Sequence, residues 1–171
     1  KAGLLDSSGI TVVFNDTTKV WIVGGLGASY SLATSNNGTV WNPVSNSKSA
    51  LFSTMVYGLA HDDYYNRAVA CGFGTNFALA QSSDAYSTTW TGVAGSASLF
   101  SGGGAYDVTC VYGLSDYNSY SNVYWVAGGQ DSSEGVIVYT TDKTGTTGWI
   151  KSTTGNLLSR VYGIGFSPTT Q

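Results

Sequence analysis

The chain has 171 residues, 42% of them hydrophobic and only 10% charged, with a formal net charge of −3. That length can bury one core, and ordinary hydrophobicity with so little charge excludes a disordered polyelectrolyte. Two arginines, Arg67 and Arg160, in an acidic chain exclude the basic face that nucleic-acid binding needs, and no apolar run reaches the roughly 18 residues of a membrane span.

Polarity comes from Ser, Thr, Asn and Gly, which predicts a β protein exposed outside the cell or on a virion. The chain opens at Lys1 without a signal-like segment, which predicts a processed or excised N-terminus.

From the N-terminus, Leu4-Leu5 precedes the strand-like run Ile10-Thr11-Val12-Val13. A second run, Val20-Trp21-Ile22-Val23, ends in Gly24. A third, Tyr30-Ser31-Leu32-Ala33-Thr34, leads through a turn to Trp41. The order then repeats. Leu51-Phe52 precedes Val56-Tyr57-Gly58. Ala68-Val69-Ala70-Cys71 ends in Gly72, and Phe77-Ala78-Leu79-Ala80-Gln81 leads to Trp90. In the third copy Leu99-Phe100 precedes Val111-Tyr112-Gly113. Tyr124-Trp125-Val126-Ala127 ends in Gly128, and Val136-Ile137-Val138-Tyr139-Thr140 leads to Trp149. Leu157-Leu158 and Val161-Tyr162-Gly163 open a fourth. Short β-branched and aromatic runs bounded by Gly, Asn, Asp and Ser are strand signals, and no long stretch has a helical apolar period.

Four strands per unit, recurring about every 50 residues, is the arithmetic of a propeller blade. We therefore expect an all-β fold, a β-propeller of four-stranded antiparallel blades, with about three blades in this chain. The blades fall at about 9–47, 55–94 and 108–151, followed by an innermost strand at 160–166 of a further blade. A β-solenoid would have shorter coils. A duplicated sandwich would not repeat Trp, Gly-Gly and Val-Tyr-Gly in one order. Because propellers typically close with four to eight blades and an open edge invites association, further copies of the chain or further blades of a longer chain are the expected partners.

The turns before the tryptophans read Thr34-Ser35-Asn36-Asn37-Gly38-Thr39-Val40-Trp41, Ser82-Ser83-Asp84-Ala85-Tyr86-Ser87-Thr88-Thr89-Trp90 and Thr140-Thr141-Asp142-Lys143-Thr144-Gly145-Thr146-Thr147-Gly148-Trp149. They resemble the Asp-box, the bacterial neuraminidase repeat Ser/Thr-x-Asp-x-Gly-x-Thr-Trp. The match carries to Thr34, Asn36, Gly38 and Trp41, to Ser82, Asp84, Thr89 and Trp90, and to Thr140, Asp142, Gly145 and Trp149. Asn replaces Asp in the first copy, the second lacks the glycine, and the second and third are longer. The resemblance implies a propeller whose Asp-boxes lie on the periphery. In such turns an Asp or Asn side chain accepts backbone amides, glycine supplies positive φ and tryptophan packs on the sheet. Asn36, Asp84 and Asp142 are accordingly read as turn formers.

The resemblance also raises sialidase-like chemistry, which uses an arginine triad, a Tyr/Glu pair and an Asp acid. With two arginines, the single glutamate Glu134 and nine aspartates mainly in turns, no catalytic residue is assigned. His61-Asp62-Asp63 is the one His–carboxylate cluster, and His61 is read as a packing position on a loop. Asp131, Glu134 and Asp62-Asp63 offer too few carboxylates for calcium. No metal or cofactor is expected. Cys71 aligns with Val23 and Ala127, and Cys110 with Met55. Both read as buried thiols, with a single disulfide as the alternative. Asn15-Asp16-Thr17 and Asn37-Gly38-Thr39 make Asn15 and Asn37 candidate glycosylation acceptors on turns.

What remains is binding or scaffolding. Tyr57, Tyr112 and Tyr162 are the candidate binding residues, either presenting phenols toward the channel or filling the wedge between blades. The expected function is a non-catalytic structural or adhesive module. The alternatives are a glycan-binding lectin closed by oligomerisation and a fragment of a sialidase-like glycosidase.

Overall fold

A computed structural model describes residues 4–63, 65–84, 86–111, 124–152 and 158–166. Its strands form three four-stranded antiparallel sheets, each in simple sequence order. The first holds β1 (Ser8–Asn15), β2 (Val20–Leu26), β3 (Leu32–Ser35) and β4 (Asn42–Pro43). The second holds β5 (Met55–Asp62), β6 (Arg67–Phe73), β7 (Leu79–Ser82) and β8 (Thr91–Gly92). The third holds β9 (Gly104–Cys110), β10 (Trp125–Gln130), β11 (Gly135–Thr140) and β12 (Ile150–Lys151). The arrangement is all-β and propeller-like, with three blades, and no sheet closes on itself. Among the described residues no helix is long and apolar enough to cross a membrane.

Blade stacking explains the apolar runs. Along β6, Ala68 and Ala70 join the core cluster shared with the first sheet, while Val69 and Cys71 join the one shared with the third. A strand buried on both faces needs apolar residues at every step. The small side chains along β6 let the neighbouring blades approach. Where one blade leaves the next, short helical turns replace extended chain. A π-helical turn spans Ser47–Leu51 and α1 spans Ser96–Leu99. Each delivers a phenylalanine, Phe52 or Phe100, at most 1% exposed. The buried Ser47 and Ser96 hydroxyls accept the amides that open the third strand of the blade just completed, Ser31 and Leu32 in one case, Ala78 and Leu79 in the other.

A β-bulge recurs at one step of every innermost strand. Pairing skips Ile10 between Gly9 and Thr11, Tyr57 between Val56 and Gly58, and Tyr106 between Ala105 and Asp107. The residue before each bulge faces a glycine of the second strand: Gly9↔Gly25, Val56↔Gly72, Ala105↔Gly129. Any Cβ on these three glycines would run into the carbonyl oxygen of Ser8, Met55 or Gly104.

This register corrects the phase of the third blade. Its innermost strand starts at Gly104, not 108, and the bulge tyrosine is Tyr106. Val111 follows the strand, and Tyr112 and Gly113 lie outside the described residues. The tripeptide Val-Tyr-Gly is in phase at Val56 and Val161 only. Gly129 has to lie opposite the residue before the bulge, and that constraint overrides the word. Cys110 is likewise the last residue of β9, not a position before it. The segment 158–166 packs on the third blade as β5 does on the first. The Val161 amide donates to the Gly129 carbonyl (3.1 Å) and the Ile164 amide to Asp107 Oδ2 (2.8 Å).

Candidate ligand site on the innermost strands

A bulge bends its strand and re-aims one side chain. Here the three bulge residues point to one place. Ile10, Tyr57 and Tyr106, with Tyr162 and Arg160 from the segment 158–166, which is not paired as the expected innermost strand, line an open cup of about 380 Å³. Tyr57 and Tyr106 meet edge to face with centroids 5.1 Å apart. Tyr106 and Tyr162 are tilted at 5.2 Å. Arg160 Nη1 donates to the Tyr162 hydroxyl at 2.8 Å, which raises the guanidinium pKa further. Burial, then the neighbouring phenols of Tyr106 and Tyr162, push the Tyr57 hydroxyl up, so it stays protonated at neutral pH. The cup therefore offers ring faces, phenol donors and one guanidinium.

Two of the three tyrosines singled out in the sequence, Tyr57 and Tyr162, are brought together. Tyr106, which sits between them, was missed, and Tyr112 lies outside the described residues. The signal that finds Tyr106 is the glycine pair Gly128-Gly129: counting back across the hairpin from Gly129 reaches Ala105, and the bulge residue is the next.

Other charged groups are elsewhere. Arg67 opens β6 opposite Asp62, at the far end of the sheet from Arg160. Glu134 Oε1 lies 3.5 Å from Lys151 Nζ. Asp131 accepts amides from Ser133 and Glu134 and pairs with Lys151 at 2.8 Å. The Lys151 bond, then those amides, hold its carboxyl well below the usual range. Among the described residues no three His, Cys, Asp or Glu side chains form a metal-sized group. His61 is not on a loop but in β5, with 2% of its side chain exposed and Nδ1 3.2 Å from Asp63 Oδ1. Burial lowers its pKa against the pull of Asp63. Cys71 and Cys110 are free. Burial pushes both thiols up, Cys110 to about 12, and Cys110 Sγ donates to the His61 carbonyl at 3.4 Å.

The three tryptophan turns share one wiring. Asp84 accepts the Tyr86 and Thr88 amides (2.9 Å each) and the Thr88 hydroxyl. Asp142 accepts the amides of Thr144, Thr146 and Thr147 at 2.9–3.1 Å. Burial works to raise both carboxyls, but these hydrogen bonds outweigh it and leave both below the ordinary value. In the first turn the accepting group belongs to Asn37, not Asn36. Asn37 Oδ1 takes the amides of Thr39 (2.9 Å) and Val40 (2.8 Å), and Asn36 is exposed. Ser35, Ser82 and Thr140 stand two residues earlier in all three turns and accept the amide of the Asn or Asp.

A positive-φ residue follows the Asn or Asp in all three turns, at one shared place in two of them. Gly145 (φ +66) and Ser87 (φ 52, in the copy that lacks the glycine) each stand three residues after the Asp, whereas Gly38 (φ +72) directly follows Asn37. Trp90 Nε1 donates to the Ser87 carbonyl (2.7 Å) and Trp149 Nε1 to that of Gly145 (2.9 Å). Trp41 is half-buried. Serine at positive φ carries Cβ strain that glycine lacks. Ser87→Gly is therefore expected to stabilise the fold by about 0.5–1 kcal/mol after glycine's extra unfolded-state entropy. A lowered denaturation midpoint would show instead that the hydroxyl is needed.

Of the two glycosylation candidates, Asn15 ends β1 fully buried. Its Oδ1 takes the Thr18 amide and its Nδ2 donates to Asn66 (2.9 Å), so the folded chain does not present it. Asn37 is exposed but holds its turn. No family model matches the chain, and no curated protein matches its sequence.

Proposed function

We propose that the chain is a non-catalytic propeller module of the Asp-box type, structural and adhesive, displayed outside the cell or on a virion. The turns support that kinship through their shared Ser/Thr, Asn/Asp and tryptophan, and two of them through a common positive-φ seat. The adhesive contact is the tyrosine cup. The observation that carries this reading is the bulge that recurs at one step of each innermost strand and sends Ile10, Tyr57 and Tyr106 to a common concavity. Rigid strands hold these side chains, and tyrosine gives contact area at small entropic cost.

The cup itself favours glycan as what is held. A phenol ring stacks on the apolar face of a sugar while hydroxyls and the guanidinium take its polar edge. A glycan array probed with the whole protein should give binding that the double variant Tyr57→Ala, Tyr106→Ala abolishes with its β circular dichroism retained. An empty array, or binding indifferent to those changes, removes the lectin reading and leaves protein adhesion. The separation of Arg67 from Arg160 speaks against the sialidase-like reading, so a fluorogenic sialoside should remain intact.

A further inference from the structure

Within the chain, the flank that each blade turns toward its predecessor is an interface. On the second blade that flank is Val56, Leu59, His61, Ala68 and Ala70, all buried. The equivalent residues of the first blade are Gly9, Val12, Phe14, Trp21 and Val23, matched through the pairs Val12↔Val23 and Phe14↔Trp21. Here Val12 is 57% and Trp21 39% exposed. Neither β1 nor β2 carries a charged side chain. An uncharged face with aromatic anchors is what the core of a protein interface looks like.

Its relief differs from an internal seam. Trp21 stands where the second blade has Ala68, and its ring packs tilted against Phe14 with centroids 4.6 Å apart. This raises a knob at the turn end. At the other end Gly9 and Gly25 face each other and form a floor without side chains, and a Cβ on Gly9 would meet nothing within 4 Å. A knob at one end of a strand and a hollow at the other become complementary when two such strands cross antiparallel. A two-fold axis near Val12 does this, and a face that fits itself under a two-fold is an isologous interface.

We propose that the β1–β2 flank pairs two copies of this chain about a two-fold axis, the Phe14–Trp21 knob of each seated on the Gly9–Gly25 floor of the other. The contact uses none of the cup's side chains, although Ile10 of the cup directly follows Gly9. The test is the mass of the whole protein by light scattering over a dilution series. The wild type is expected to have twice the chain mass. Gly9→Leu fills the floor, at a position where a Cβ meets nothing within 4 Å in the monomer, and Trp21→Ala removes the knob. Each should weaken dimerisation at least about tenfold, with β circular dichroism retained. Val40→Ser, at an exposed residue off the flank, should leave the dimer intact. A single-chain mass throughout, a dimer indifferent to both flank variants, or mass growing without limit (as head-to-tail docking gives) would each overturn the proposal.

Discussion

Gly72→Ala is expected to destabilise the protein by about 3 kcal/mol or more. The glycine lies opposite Val56, beside the bulge at Tyr57, and its missing side chain is the space occupied by the Met55 carbonyl, with the Val56 Cα 3.0 Å away. The obstruction is backbone, so no rotamer change relieves it. Either the bulge flattens or β5 moves away from β6. Flattening would turn Tyr57 out of the cup, so the loss of stability should be accompanied by altered tyrosine fluorescence. Gly9→Ala is the control. It sits at the matching step of β1, where a Cβ meets nothing within 4 Å of the same chain, and should change stability by less than about 0.5 kcal/mol when measured dilute enough that the copies are dissociated. Urea midpoints for the two variants measure the difference directly. Equal effects would mean that the glycines opposite the bulges are not required by close approach.

Asp142→Ala is expected to cost about 2 kcal/mol. It removes the acceptor of the Thr144 and Thr147 amides and one of the two acceptors of the Thr146 amide, at a site where the accepting group is charged. Asp142→Asn should recover much of this, because Asn37 does the same work in the first turn. The pH dependence follows from the lowered carboxyls of Asp84, Asp131 and Asp142. A carboxyl lowered on folding stabilises fully above its unfolded value, about 4, and that contribution fades as pH falls through the folded value. The wild type should therefore lose thermal stability progressively below about pH 4. Asp142→Asn should lose less over the same range. A parallel loss in both proteins would place the acid sensitivity elsewhere.

Strand order, blade count and the tryptophan turns were legible because they depend on local patterns: apolar runs, turn residues and a recurring Trp. Phase was less so. The third Val-Tyr-Gly looks like the others, yet β9 begins at Gly104, because register is decided by which residue can face Gly129 across the hairpin. Asn36 and Asn37 are adjacent and chemically identical. Only the spacing from Ser35, two residues as from Ser82 to Asp84, separates them. Ser87 hides a glycine seat because the conformation is imposed by Asp84 below it and Trp90 above, not by its own preference. Asn15 reads as a surface sequon but ends a strand, where its side chain caps the turn. The cup escaped for a related reason: its members lie about a blade apart and converge only through the bulges.

The account rests on blades whose flanks are matched in size across each seam. At the first seam a Cβ on Gly24 would strike Val56. At the third, one on Gly128 would strike Val161. At the middle seam the equivalent positions are Cys71 and Ala105, both fully buried in one cluster. Bulk absent from one side is supplied by the other. A double-mutant cycle of Cys71→Gly and Ala105→Val, read as unfolding free energies, tests this directly. The single changes should each cost about 1–3 kcal/mol, one by a cavity and one by overpacking, and the double variant, which rebuilds the glycine–valine seam, should cost at least about 1 kcal/mol less than their sum. Additivity within about 0.5 kcal/mol would mean that the two side chains do not share a seam and that the blades are not stacked as described.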